Sequence, residues 1–212
     1  MITRLSSLTK IKQTMKDLSK TYYHKGHKLR GWFNSNKENW YKNLVSNVKN
    51  GKIIEIGVYG GASILSIADL CIKNNVQVIG IDPWDTIELY NEKTLKPQEL
   101  KGYRKIMKGH FDNLTKIIDA EKYNHITLVK DFSLNAVTEI LDNSIELIYI
   151  DANHSYTEVL KDIQAWYPKV KKGGILCGDD FAWEGVKKAV NHFVKSQNLT
   201  YKNTKDSWVI TK

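Results

Sequence analysis

Glu55-Ile56-Gly57-Val58-Tyr59-Gly60-Gly61-Ala62-Ser63 is the stretch on which the reading of this chain turns. It closes a short apolar run at 52–57 and opens a helical pattern at 61–73. Glycines at a strand-to-helix turn let the backbone approach a ligand closely and aim helix N-terminal N–H groups at it. A purely structural turn uses the same residues, so the surroundings have to decide. Asp82 ends the next apolar run, 25 residues after Gly57, where a carboxylate can accept both hydroxyls of a ribose. Glu55 puts a second carboxylate beside the turn. That suits a cofactor with a cationic amino-acid end better than one with a pyrophosphate.

Outward from this turn the chain alternates regularly. Apolar β-type runs lie at 52–57, 77–82, 125–130, 146–151 and 174–178, with helical patterns at 61–73, 102–119, 133–141, 155–171 and 184–196. Such alternation predicts a parallel sheet covered on both faces. Two extended runs, 199–202 and 207–211, are joined by a polar turn and predict a terminal antiparallel hairpin. Upstream, Leu5, Leu8, Ile11, Met15 and Leu18 recur at helical spacing as far as Tyr22. A second helix is expected from Lys37 to Val48, with Trp40, Leu44, Val45 and Val48 facing inward, and 25–31 reads as a flexible connection. Residues 1–50 are thus expected to be a basic helical N-terminal extension or cap, and 51–212 the ligand-binding α/β domain.

Composition narrows the classes. A chain of 212 residues suits one core, and 42% hydrophobic residues exclude general disorder. No stretch approaches the roughly 18 apolar residues of a membrane span. The first residues lack the apolar core of a secretory signal, so a cytoplasmic protein is expected. Cys71 and Cys177 sit among apolar neighbours and read as small buried hydrophobes. The formal charge of +9 belongs to residues 1–50, where eleven Lys and Arg face only Asp17 and Glu38. Only Arg4, Arg30 and Arg104 are arginines, whereas specific phosphate and base contacts favour the Arg fork. Nucleic acid is therefore not the expected partner. A homo-oligomer is compatible with the amphipathic leader.

The richest run is Ile145-Glu146-Leu147-Ile148-Tyr149-Ile150-Asp151-Ala152-Asn153-His154-Ser155-Tyr156. It places Asp151 and His154 at the carboxyl edge of the fourth strand, and the fifth delivers Gly178-Asp179-Asp180 to the same edge. Three carboxylates together are costly without a cation, and an oxygen-rich cluster suits Mg²⁺. The plainer alternative is that Asp179 or Asp180 caps the following helix. His154 can take a hydroxyl proton near neutral pH, or it can merely orient Asp151.

These motifs resemble class I S-adenosylmethionine-dependent methyltransferases. Glu-x-Gly-x-Tyr-x-Gly-x-Ser is similar to their first motif. Asp-x-x-His-x-Tyr, followed by Val-x-x-Gly-Gly and an Asp-Asp pair, is similar to the metal site of catechol-type O-methyltransferases, with a comparable cluster in the sugar and macrocin types. The fuller run Asp-x-x-His-Ser-Tyr, then Gly-Gly-x-x-x-Gly-Asp-Asp, resembles a broad methyltransferase family related to them. The spacings of 28 and 29 residues from Asp151 to Asp179 and Asp180 agree with that pattern. The resemblance implies a Rossmann-like sandwich with a mostly parallel seven-stranded sheet and a C-terminal antiparallel hairpin. By the same resemblance, Glu55, Gly57, Tyr59, Gly61 and Ser63 surround the methionine end of S-adenosyl-L-methionine. Asp82 holds its ribose, and Asp131 and Ser133, with Phe132, border its adenine. Asp151, Asp179 and Asp180 hold Mg²⁺, and Asp151 and His154 serve catalysis, His154 standing where the catechol enzymes carry a catalytic lysine. The acceptor expected is a hydroxyl of a sugar, glycan or small metabolite, stacked on Trp84, Tyr90, Tyr103 or Trp183. Three other readings remain at this stage: a nucleic-acid methyltransferase using the basic leader, a non-catalytic binding module, and a nicotinamide oxidoreductase. The last leaves Asp179-Asp180 unexplained.

Overall fold

The computed structural model describes residues 20–85 and 97–212. Most of the helix expected from Leu5 to Tyr22 lies outside these residues, and its last part, residues 20–22, is strand. Lys20–His24 (β1) and His27–Gly31 (β2) pair antiparallel around Lys25-Gly26. Both turn residues take positive φ, 47° and 84°, as a two-residue turn matched to the strand twist requires. The stretch 25–31 is therefore turn and strand, not a flexible connection: Leu29 and Gly31 face inward while Lys28 and Arg30 face water. Helix α1 (Ser35–Ser46) starts two residues earlier than expected because Asn34 caps it, accepting from the Asn36 and Lys37 amides. Its inward face is built on Tyr41 and Val45; Trp40 and Leu44 are only half-buried.

The main domain follows as β3 (Lys52–Ile56), α2 (Ala62–Ser66), α3 (Ala68–Lys73), β4 (Gln77–Ile81), α4 (Pro97–Ala120), β5 (Ile126–Val129), α5 (Ser133–Ala136), β6 (Ile145–Ile150), α6 (Tyr156–Trp166), β7 (Val170–Gly178), α7 (Glu184–Ser196), β8 (Lys202–Asn203) and β9 (Trp208–Thr211). They form a seven-stranded sheet in the order β5-β4-β3-β6-β7-β9-β8. The four pairings that join β5, β4, β3, β6 and β7 are parallel, and β9 runs antiparallel to both β7 and β8. The expected sheet and terminal hairpin are both present. The helix expected over 61–73 divides at Ile67, beside a Ser66 Oγ that donates 2.6 Å to the Ser63 carbonyl and competes with the helical ladder.

Alternation along the strands builds two cores. Ile53, Val78, Leu147, Tyr149 and Cys177 pack under α1, α2, α3 and α4. Ile54, Ile56, Ile148, Ile150 and Leu176 pack under α6 and α7. Both cysteines are buried and free, as their apolar neighbours predict. Strand order reverses between β3 and β6, and at such a switch point the carboxyl ends of the strands open a ligand crevice. No helix among the described residues is long and apolar enough to cross a membrane.

Candidate active site

Gly57 shows how tightly this crevice is built. Its φ is +88°, and a Cβ there would collide with the backbone carbonyl of Asp151. The turn after β3 and the end of β6 are thus in direct contact, which only a glycine permits. Tyr59 also takes a left-handed conformation, with φ 49°, and so does Trp84, with φ 43°. One carboxylate holds both: Asp82 Oδ2 accepts from the Tyr59 amide at 2.9 Å and Oδ1 from the Trp84 amide at 2.7 Å. Asp82 is itself buried, which raises its pKa against the lowering effect of these amides. Trp84 is 1% exposed and donates its indole N–H to the Tyr59 carbonyl at 2.8 Å. It is a brace for the turn and offers no face to an acceptor.

Glu55 lies beneath the turn with 0% exposure. Ser63 Oγ donates to its Oε1, and Tyr41 OH donates to its Oε2 at 3.4 Å. Among the described residues it has no cationic partner, and burial pushes its pKa up to about 8. Tyr41 reaches it from α1 while stacking on Tyr149, ring centroids 4.5 Å apart. The hairpin also touches this region: Trp32 packs on the Tyr59 ring at 4.9 Å, and a Cβ at Gly60 would strike the Arg30 carbonyl.

At the third strand end, Asp131 Oδ1 accepts from the Phe132 amide at 2.7 Å and from Asn135 Nδ2 at 3.0 Å. Phe132 is exposed rather than part of the core. Ser133 turns inward instead. Its Oγ donates to Asp162 at 2.5 Å and accepts from the Trp166 indole at 2.7 Å, so its hydroxyl is committed to the α5–α6 junction.

The acidic corner is assembled from β6, β7 and, unexpectedly, α1. His154 Nε2 lies 2.7 Å from Asp180 Oδ2, and its ring stacks on Trp183 at 4.9 Å and 22°. Trp183 is 58% exposed and forms one wall of the site. Lys37 Nζ pairs with Asp179 Oδ2 and stands 3.3 Å from Asp180 Oδ1. Asp179 Oδ1 accepts from Ser207 Oγ at 3.2 Å. Asp151, His154 and Asp180 can bring one donor atom each within 4.8 Å of one another. Asp179, expected as a ligand beside them, is instead held by Lys37 and Ser207. Neither aspartate side chain caps α7, whose first turn follows Trp183.

Charge states follow from this packing. Burial, reinforced by the charges of Asp179 and Asp180, raises the Asp151 pKa to about 8. For His154, burial opposes the charged form, but the bond to Asp180 and the nearby carboxylates outweigh it and raise the pKa. Lys37 behaves alike: burial works against its charge, and Asp179, then Asp180 and Asp151, raise its pKa nonetheless. The other described histidines are placed elsewhere. His24 pairs with Tyr123, His27 with Glu121 and His192 with Tyr156, while His110 packs on Tyr59 and His125 meets Tyr123 edge-on.

A family profile described as a methyltransferase domain matches residues 54–181, from within β3 through the acidic corner. The chain belongs to this methyltransferase-domain family. An uncharacterized protein of Acanthamoeba polyphaga mimivirus is 31% identical over 129 residues, 60% of this chain and 50% of that protein. The chain thus spans about half the length of that curated relative. The calicheamicin methyltransferase CalS11 shares the fold with a TM-score of 0.62 at 17% identity, over 85% of this chain and 81% of that one. A putative caffeoyl-CoA O-methyltransferase from Staphylococcus aureus does so with a TM-score of 0.59 at 16% identity, over 98% and 92%. At these identities the likeness is one of fold, and it confirms the Rossmann-like methyltransferase sandwich.

Sequence reasoning missed Lys37 and Tyr41, which reach the site from α1, outside the residues that the family profile matches. A signal was available: the two are spaced i, i+4, which puts them on one helical face, and a lysine in a first turn opposes the helix dipole. Tyr90 lies outside the described residues, and Tyr103 is half-buried against the core.

Proposed function

We propose that the chain is an S-adenosylmethionine-dependent O-methyltransferase acting in the cytoplasm, with Mg²⁺ assisting transfer to a hydroxyl of a sugar, glycan or other small metabolite. One observation carries the reading: the glycine turn after β3 and the Asp151–His154 corner touch through Gly57 and the Asp151 carbonyl. A methyl donor on the turn and a hydroxyl at the corner would be neighbours, and positioning of that kind supplies much of the rate.

The turn fits the donor. Glu55, a buried carboxylate with only hydroxyl partners, is suited to an ammonium group at the methionine end. Asp82 accepts from the Tyr59, Trp84 and Val58 amides, and its two oxygens have about four acceptor sites between them, which leaves capacity for a ribose hydroxyl. Gly61, at φ +83°, caps the start of α2 directly after the turn. Asp131 remains a candidate at the adenine edge, while Ser133 would act there only indirectly through the fold.

The corner fits a divalent cation in part. Asp151 and Asp180 are the carboxylates that would hold Mg²⁺, and Asp179 would join them only with Lys37 displaced. When bound, Mg²⁺ supplies Lewis acidity that lowers the pKa of an acceptor hydroxyl. His154 is the group we assign to take the hydroxyl proton. Its pairing with Asp180 strengthens its affinity for a proton, and Trp183 fixes the ring plane and offers an apolar surface to a sugar or aromatic ring. CalS11, whose fold this chain shares, is a TDP-rhamnose 3′-O-methyltransferase, which supports the choice of a sugar hydroxyl. We further propose residues 51–212 as the methyltransferase domain and residues 1–50 as a cap that completes its site. Lys25, Lys37 and Lys42 of that cap are engaged in ion pairs, which argues against a free basic face for nucleic acid.

The test is an acceptor panel with methyl-labelled S-adenosylmethionine, run with Mg²⁺ and with chelator. Transfer to hydroxyls of nucleotide sugars or small glycosides that chelator abolishes is the expected result. Transfer confined to RNA, or tight NADH binding without any response to S-adenosylmethionine, would sink the reading.

A further inference from the structure

Lys37 stands where neither helix nor core favours a lysine. It occupies the first turn of α1, at the positive end of the helix dipole, and its side chain is 13% exposed. A buried ammonium persists only when paired, and its partners are Asp179, 1% exposed, and Asp180. Asp180 is one of the two carboxylates assigned to the metal above, and Asp179 is the one that would join them only with Lys37 displaced. With Ser207 on the other oxygen of Asp179, each oxygen of that side chain faces one protein group, Lys37 or Ser207. The same helix sends Tyr41 to Glu55, so α1 is seated on both halves of the site.

We propose that Lys37 is a resident counter-ion that competes with a divalent cation for Asp179 and Asp180, so that seating of α1 and loading of metal oppose each other. The inference rests on the metal-assisted reading given above. An ammonium and a divalent cation cannot share these oxygens without strong repulsion at such short range. By reciprocity, whatever factor Lys37 takes from metal affinity, bound metal takes from the seating of α1. Lys37 is thus a positioning residue: it sets how readily the corner accepts the ion and ties that step to the cap.

Mn²⁺ binding to the full chain, followed by the resonance of the free ion, tests this with four proteins: wild type, Lys37→Gln, Asp179→Asn and the double variant. Lys37→Gln should bind Mn²⁺ roughly tenfold more tightly than wild type. The double variant should bind about threefold more tightly than Asp179→Asn, since these two differ only in the lysine charge. That second comparison decides the matter if Lys37→Gln, with Asp179 left buried and unpaired, fails to fold. Saturating Mn²⁺ should also speed amide exchange in α1 of the wild type. Equal Mn²⁺ affinities within both pairs overturn the competition and leave the metal reading standing. Absence of Mn²⁺ binding in all four proteins removes the metal reading and the competition with it.

Discussion

Replacing Glu55 with Gln should make the ligand-free protein more stable above pH 6 and weaken its hold on S-adenosylmethionine. The Glu55 carboxyl is fully buried and its pKa stands at about 8 against an ordinary 4.5, burial being the main cause. A group that binds its proton more tightly in the folded state stabilises the protein at low pH. That contribution is present below pH 4.5 and is lost as pH rises through about 8. At ~1.4 kcal/mol per pH unit, the loss reaches about 3 kcal/mol at pH 7 and about 5 kcal/mol above pH 8. Gln keeps the shape, its carbonyl can accept from Ser63, and its amide can donate to the Tyr41 oxygen, so the variant avoids the buried charge. Asp151 titrates in the same direction and range, and the wild-type curve therefore sums both groups. The difference between the two proteins isolates Glu55. Urea unfolding at intervals from pH 5 to 8.5 should give curves that diverge with rising pH, with a melting point for the variant roughly 6–10 °C higher at pH 7.5. Calorimetric titration should show S-adenosylmethionine binding roughly tenfold weaker in the variant, because the ammonium loses its carboxylate. Stability curves that stay parallel over the whole range would refute the assignment of an uncompensated buried carboxyl.

Three further outcomes follow from the same geometry. Gly57→Ala should destabilise the fold by about 3 kcal/mol or more, since it forces a Cβ onto the Asp151 carbonyl at a left-handed φ; a urea midpoint equal to wild type would contradict the contact. Asp82→Ala should remove about 1–3 kcal/mol by freeing the Tyr59 and Trp84 amides, and S-adenosylmethionine should then protect it less from heat than it protects the wild type. His154→Ala should lower turnover by roughly a hundredfold or more while cofactor affinity stays within about threefold. An equal loss of cofactor binding would move His154 from proton transfer to architecture.

Much of this was legible in the chain itself. Central parallel strands are buried on both faces and so read as unbroken apolar runs, which is why β3 to β7 stand close to where the pattern puts them. The hairpin at 20–31 was not legible, because Lys25-Gly26 carries its turn signal in backbone angles and Tyr22 to His24 continue the amphipathic stripe upstream. Gly57 and Asp82 could be found because their distance along the chain is set by one strand–helix–strand unit. Ser133 is placed at the adenine edge by resemblance alone, since a serine after a strand can face a ligand or the protein, and its bonds to Asp162 and the Trp166 indole join elements that no local pattern links.

Local patterning by itself determined the alternating sheet, the ligand edge at the carboxyl ends of its strands, and the gathering of Asp151, His154, Asp179 and Asp180 there. Which carboxylate meets which cation was decided only in three dimensions. Lys37 and Asp180 are 143 residues apart, and no short-range periodicity links them. Their pairing depends on α1 docking over the sheet through Tyr41 and Val45, and on the cost of burying Asp179 alone. That docking turns a segment read as an accessory cap into a wall of the candidate site.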